Sequence, residues 1–394
     1  MNNSREVVVV GAARTAIGAY GGSLKDVPLA DLATLAIKEA VSRSGAQAED
    51  IGHTVLGNVI HTEKRDMYIS RLASVNAGLP HSTPALTLNR LCGSGLQAIV
   101  TAAQQIELGQ ADMAVGGGAE AMSRAPFWLP TTRWGQRMGD GQILDAMVGA
   151  LTDPFESCHM GITAENIAEK WKISREDQDA FAAEAQRRGV KAVQDGVFKD
   201  QIVPVEIKTR KGVNVFDTDE NPREVSTEKL AGMRPVFKKD GSVTAGNASS
   251  INDGAAAVVL AERGVAEAKG LKPLARLVGY SVAGVDPQYM GIGPVPAIKQ
   301  LLADTGVAKE DIDLWELNEA FASQALAVVR DLELDEAKVN PNGSGISLGH
   351  PIGATGAILT VKSVYELQRT GGRYAVVSMC IGGGQGIAAL FERL

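Results

Sequence analysis

The sequence predicts an α/β protein built of two similar halves, with an insertion in the first. Three observations predict it. Short apolar runs alternate with amphipathic segments along most of the chain, several segments recur 261 residues apart, and the stretch from about Glu120 to Thr244 breaks the rhythm. Continuous apolar strands that alternate with helices belong to βαβ units whose sheets are covered on both faces.

Val7-Val8-Val9-Val10, Thr54-Val55-Leu56 and Met113-Ala114-Val115 read as buried strands, as do Asp313-Leu314-Trp315 and Tyr374 to Met379. Helical periodicity fills the intervals at Leu29 to Ser44, Gly95 to Leu108, Pro296 to Asp304 and Thr355 to Gln368. The repeat ties these together. Ala36-Ile37-Lys38 returns as Ala297-Ile298-Lys299, Gly45 as Gly306, and Glu49-Asp50-Ile51 as Glu310-Asp311-Ile312. The same step takes Gly95 to Gly356, and Cys92 to Gly353, three residues beyond His350. A repeat this long indicates duplicated domains rather than a solenoid. If the halves pack face to face, a turn at Cys92 and a turn at His350 meet at one interface.

The polar middle stretch carries Pro126, Pro130, Pro154, Pro204, Pro222 and Pro235. It also holds two helical patterns, Thr163 to Trp171 and Arg175 to Gln194. Ser174 suits the N-cap of the second, with Asp177 as capping-box partner. Residues 120–244 are therefore expected to form an inserted loop domain that binds the carrier of an acyl group. Residues 1–119 and 245–270 are expected to form the first half, and 271–394 the second.

Composition narrows the function. A net charge of −7 argues against nucleic acid and membrane surfaces as general partners. Three widely spaced cysteines are not a disulfide framework, which points to a reducing compartment. Met1 to Glu6 shows no basic leader and no run approaches 18 apolar residues, so the expected location is the cytoplasm. Glycine is enriched at 44 residues, in clusters such as Gly116-Gly117-Gly118 that read as tight turns.

Four short stretches carry the chemistry. Leu91-Cys92-Gly93-Ser94-Gly95 places a thiol between a strand and a helix. A helix N-terminus stabilises a thiolate, and its free N–H groups can hold an oxyanion. A small buried cysteine at a helix start is the plainer alternative. His350, in the glycine-rich run Asn342 to Gly353, is an imidazole beside a backbone fixed by Pro351; its equivalence with the Cys92 turn favours a functional role over a structural one. Cys380 ends an apolar strand and enters Ile381-Gly382-Gly383-Gly384, either as a second reactive thiol or as a packed strand end. Asn318, in Asn318-Glu319-Ala320-Phe321, can orient a water or ligand, or cap the next helix.

Taken together, Cys92-Gly93-Ser94, Asn318 to Phe321, Gly349-His350-Pro351 and Cys380-Ile381-Gly382 resemble the signatures of the thiolase family, in order and over essentially the whole chain. The closest likeness is to short-chain acetyl-CoA acetyltransferases, the bacterial β-ketothiolases. The resemblance implies the thiolase fold, two βαβαβαββ halves packed in five layers (αβαβα). It implies a reversible Claisen condensation of two acetyl-CoA, or of acetyl-CoA with a short acyl-CoA, to a 3-ketoacyl-CoA and CoA.

By the same resemblance Cys92, deprotonated by His350, carries the acyl group, and Cys380 removes the α-proton of the second acetyl-CoA. His350 with an Asn318-bound water holds the enolate. The N–H groups of Cys92 and Gly382 hold the tetrahedral intermediate. His159, Met160 and Ser249 match positions that contact the pantetheine arm; Met290 and Phe321 wall the acyl pocket. Arg223, in a stretch from Lys208 to Lys239 with eight basic against five acidic residues, is the candidate for the nucleotide phosphates. Cys158 reads as structural. CoA thioesters enter as substrates, with no cofactor or metal, and the expected assembly is a homotetramer with His61 to Arg71 as a contact loop.

The chain departs from the family pattern at Gly343-Ser344-Gly345-Ile346-Ser347, at Ser250-Ile251 and over residues 224–229, which blurs the acyl pocket and the nucleotide site. A degradative 3-ketoacyl-CoA thiolase of broader chain length is the alternative within the family. A decarboxylating ketoacyl synthase shares the nucleophile turn but needs a His or Asn where this chain has Cys380. A thioesterase using Cys92 alone, or a non-catalytic acyl-CoA-binding protein, completes the alternatives.

Overall fold

The computed structural model describes residues 5–210 and 212–394. Lys211, counted in the basic stretch, and the first four residues of the Met1 to Glu6 stretch lie outside them. In the first half the order is β1 (Val7–Arg14), α1 (Leu29–Ser44), β2 (His53–Gly57), α2 (Ile69–Asn76), β3 (Ala85–Leu88), α3 (Ser94–Glu107) and β4 (Met113–Ala121). After α4 (Met160–Lys170) and α5 (Arg175–Gln194), the chain returns as β5 (Asn252–Glu262) and β6 (Ala275–Gly284). The second half adds α6 (Pro294–Thr305), β7 (Leu314–Leu317), α7 (Ala322–Leu332), α8 (Thr355–Thr370), β8 (Tyr374–Ile381) and β9 (Gln385–Arg393).

The strands lie in the order β7-β8-β9-β6-β1-β5-β4-β2-β3. The ladder between the halves is only Val8↔Arg276 and Val9↔Ala275, so two mixed sheets touch edge to edge through two residues on each strand. Helix α1 packs on β1 and β5, α6 packs on β6 and β9, and α3 and α8 lie together between the two sheets. This is the five-layer αβαβα arrangement. The 261-residue step is carried by the structure: β2 falls on β7, β4 on β8, and the glycines that end α1 and α6, Gly45 and Gly306, are both left-handed with φ of 75° and 67°.

The Gly116-Gly117-Gly118 cluster is not a turn. It is the middle of β4, and close packing is the reason. A Cβ at these positions would lie 2.7 Å from Ile99 Cα, 2.4 Å from Ala256 O and 2.2 Å from Gly353 O. The bare strand lets α3, β5 and the histidine turn approach on three sides. Its partner β5, rich in alanine, has helical propensity but is a strand, because pairing with β1 and β4 on both edges overrides local preference.

Ser174 caps α5 by accepting the Asp177 N–H at 3.0 Å. The Asp177 carboxylate serves mainly Arg330, which holds it below the usual carboxylate range, with the Ser174 N–H a lesser contribution to the capping box. Strand β4 runs to Ala121 and β5 begins at Asn252, so the excursion joins the first half through paired strands. It is also tied to β1 by a fully buried pair: Arg14 donates from its two terminal guanidinium nitrogens to Asp219 at 2.8 and 2.9 Å. Such a pair clamps the excursion, because an uncompensated buried charge costs about 3–5 kcal/mol.

Candidate active site

The catalytic candidates come together because two turns are pinned from below. In the nucleophile turn Leu91 adopts a left-handed φ of 44°, unusual for a side chain with a Cβ and a mark of local strain. Ser94, the first residue of α3, donates to Leu91 O at 2.6 Å and accepts the Arg90 N–H at 2.8 Å, closing the turn under Cys92. In the histidine turn Gly349 has φ of 117°, and a Cβ there would lie 2.5 Å from Asn252 Cγ. Asn252 in return accepts the His350 N–H at 2.8 Å and donates to Gly18 O at 2.9 Å.

Glu120 ties the histidine turn to the loop that follows β2. It is buried in β4 and accepts from Asn58 Nδ2, the N–H groups of Val59 and Ile60, and the Gly353 N–H at 2.8 Å. Burial raises its carboxyl to about 8 against the lowering effect of those donors. Sequence reasoning missed Glu120, although a lone acid inside an apolar strand was the available signal.

Asn318 follows β7 and is held by its N–H to Ser378 O at 2.9 Å. The loop beyond it is anchored by buried groups: Asn340 brackets Leu317, and Lys362 donates to Glu316 at 2.8 Å and to Gly343 O at 2.6 Å. The Asn318 amide nitrogen then lies 3.3 Å from His350 Nε2. Its carbonyl oxygen is buried without a protein partner. That oxygen, close to Gly345, is an acceptor left for a bound water or ligand group.

The electrostatics divide the three titratable groups. Burial lowers the His350 imidazole to about 4, so it stands as a neutral base at pH 7. Burial raises the Cys92 thiol to about 11, outweighing the N–H of Gly382 and its own N–H, which favour the thiolate. Cys380, fully buried, is raised further by burial and by the nearby Cys92 charge. The Gly382 N–H thus acts on the Cys92 sulfur, and the two thiols feel one another. The site can hold one thiol beside a neutral imidazole and a second thiol whose anion would be a strong base.

A cavity of about 460 Å³ opens onto these groups, within the roughly 300–1,000 Å³ typical of small-molecule sites. Cys92, His350 and Gly382 line it, and so do His159, Met160, Ser249, Met290 and Phe321. Cys380 lies directly behind, packed with Met160, Met290, Ala320 and Phe321. His159 caps α4 by accepting the Gly161 N–H at 3.0 Å and stacks on Phe237, ring centroids 4.6 Å apart. Ser249 is fixed by its N–H to Ala320 O.

Two residues stand apart. Arg223 is exposed and does not line the cavity; its N–H bonds Gln186. Cys158 sits in a loop outside the cavity, its carbonyl accepting the Asp153 N–H. Phe237, Met122, Leu151 and Ile352 complete the apolar wall without having been read from the sequence, because nothing in their local pattern separates a pocket wall from a core.

Comparison with known proteins gives a consistent result. Residues 7–264 match the family described as the thiolase N-terminal domain, and residues 271–393 the thiolase C-terminal domain. The chain is 62% identical to the beta-ketothiolase BktB of Cupriavidus necator, covering 99% of this chain and 100% of that one. It is similar to the crystal structure of the Bacillus anthracis acetyl-CoA acetyltransferase, with a TM-score of 0.98, 48% identity and 100% of both chains covered. Human mitochondrial 3-ketoacyl-CoA thiolase matches with a TM-score of 0.97 at 47% identity over 99% of each chain.

Proposed function

The chain belongs to the thiolase family, and from that premise we propose that it is an acetyl-CoA C-acetyltransferase, or β-ketothiolase. It condenses two acetyl-CoA, or acetyl-CoA with a short acyl-CoA, to a 3-ketoacyl-CoA and CoA, and runs the reverse thiolysis with the same residues. The observation that carries the reading is the convergence of Cys92 and His350 on one cavity, with Asn318 against the His350 ring and Cys380 directly behind. His350 takes the Cys92 proton as the thiolate attacks the thioester carbonyl, and CoA leaves as the thiol. Cys380 then gives its own proton to His350 and, as the thiolate, takes an α-proton from the second acetyl-CoA; the resulting carbanion attacks the acyl-Cys92 carbonyl, and Cys92 leaves as a thiolate that His350 reprotonates.

The N–H groups of Cys92 and Gly382 suit the tetrahedral oxyanion, and His350 with an Asn318-bound water suits the enolate. His159, Met160 and Ser249 would flank the pantetheine arm. Residues 120–244 supply His159, Met160 and Phe237 and form the carrier-binding domain; Arg223, outside the cavity, would meet the nucleotide end of CoA. Incubation with acetyl-CoA alone should give free CoA and acetoacetyl-CoA. No product in either direction would overturn the reading.

Chain length is decided at Met290 and Phe321. One methylene in an apolar pocket changes discrimination by about 1–3 kcal/mol. Met290→Ala should therefore shift kcat/KM across a series of 3-ketoacyl-CoA thioesters towards longer chains, by about tenfold or more per methylene. An unchanged profile would remove Met290 from the acyl wall.

We further read a homotetramer, a dimer of dimers, in the cytoplasm. Strand β3 is an unpaired edge of the sheet that exposes Leu86, and the contact loop beside it exposes Met67 and Tyr68. Exposed edges with apolar side chains favour pairing. Among the described residues no helix is long and apolar enough to cross a membrane. Light scattering should give about four times the 41.3 kDa chain mass; a monomer at working concentration would exclude this assembly.

A further inference from the structure

The step of 261 residues pairs more than the two turns. It pairs Ser94 with Thr355, the first residues of α3 and α8. It also pairs Arg90 with Pro351. In the first half the Ser94 hydroxyl donates its one hydrogen to Leu91 O, and its lone pair accepts the Arg90 N–H. In the second half the Thr355 hydroxyl donates its one hydrogen to Pro351 O at 2.9 Å. Proline has no N–H to offer in return. The lone pair that Arg90 occupies in the first half is therefore free in the second, and His350 Nδ1 lies against it at 2.6 Å.

A carbonyl can only accept, and a hydroxyl has one hydrogen. With that hydrogen given to Pro351, the contact with His350 requires the ring to donate. We propose that Thr355 is a positioning residue that fixes the His350 imidazole with its proton on Nδ1, leaving the Nε2 lone pair as the base. Proline in the Gly-His-Pro stretch thus has a second use besides stiffening the turn: it vacates a hydroxyl that would otherwise bond backbone. Orienting a catalytic imidazole through its other nitrogen is how a tautomer is selected.

This inference rests on His350 acting as the base for Cys92, so its test must separate the two ideas. The direct readout is the ring nitrogen spectrum of histidine-labelled enzyme, with His350 assigned by its absence in His350→Asn. A protonated Nδ1 and an unprotonated Nε2 at pH 7 are expected. The kinetic readout is the burst of CoA released when the enzyme meets acetyl-CoA. Thr355→Val keeps the branched shape without the hydroxyl, and should slow acylation roughly a hundredfold, as a misplaced catalytic group does, with little change in KM for acetyl-CoA. Thr355→Ser should recover most of that rate.

A proton on Nε2 in the wild-type enzyme, or wild-type acylation by Thr355→Val, would overturn the proposal while leaving His350 as base. Unimpaired acylation by His350→Asn would instead overturn the reading beneath it. If Thr355→Val fails to fold, the wild-type spectrum decides alone.

Discussion

Cys380→Ser should acylate from acetyl-CoA at close to the wild-type rate and condense about 10²–10⁴-fold more slowly, the range expected when a positioned base is lost. The two steps separate because their demands differ. Acylation needs a nucleophile and a base, and Cys92 beside a neutral His350 provides both. Condensation needs a proton taken from carbon. Burial and the neighbouring Cys92 push the Cys380 thiol up, so its anion is a strong base. A serine in its place keeps the shape and loses that chemistry. Cys92→Ser should lose both steps. Burst and steady-state assays on one preparation make the comparison, and full condensation by Cys380→Ser would refute the division of labour.

The pH profile of acylation follows from the same shifts. His350 accepts a proton only while neutral, and burial lowers it to about 4, so the rate should fall only as pH drops towards 4. Cys92, raised to about 11, stays a neutral thiol through the neutral range and forms free thiolate only near pH 11. A broad plateau is expected between these limits. An acid limb centred near pH 6.5 would instead indicate an unshifted imidazole.

Gly95→Ala and Gly356→Ala should each destabilise the fold and depress both steps together. The two glycines face each other where α3 crosses α8. A Cβ on Gly95 would lie 2.7 Å from Ala357 N, and one on Gly356 only 2.3 Å from Leu96 N. The obstacles are backbone atoms, which have no rotamer to change, so the helices must separate. Overpacking costs about 1–3 kcal/mol, and a displacement near 1 Å in a catalytic group costs about 10²-fold in rate. Gly356→Ala should be the worse of the two. Denaturant midpoints and kcat/KM measure the effect. A variant of wild-type stability and activity would show that the helix contact does not set the geometry of the site.

The sequence made the site more legible than the scaffold that holds it. Cys92, His350, Cys380 and Asn318 stand in distinctive glycine-flanked stretches, and the repeat explained how residues so far apart could meet. Strand β5 was harder to see, since its alanines favour helix in isolation and only pairing on both edges makes it a strand. Gly116 to Gly118 misled for a related reason: the glycines serve three neighbours distant in sequence rather than a local bend. Phe237 and Ile352 became pocket wall only when the excursion folded back. Thr355 was legible in principle, one application of the repeat beyond Gly356, but its meaning depends on the missing N–H of Pro351.

The buried clamp and the divided site also set an order in time. Arg14 waits for Asp219, and Cys92 for His350 and Cys380. During synthesis at about 5–20 residues per second, the step of 288 residues from Cys92 to Cys380 takes roughly 15–60 s to emerge. Through most of that interval the nucleophile turn has no base beside it, and through all of it no neighbouring thiol. A growing or truncated chain therefore lacks the groups that the site sets around Cys92, and the site is assembled only by completion of the fold.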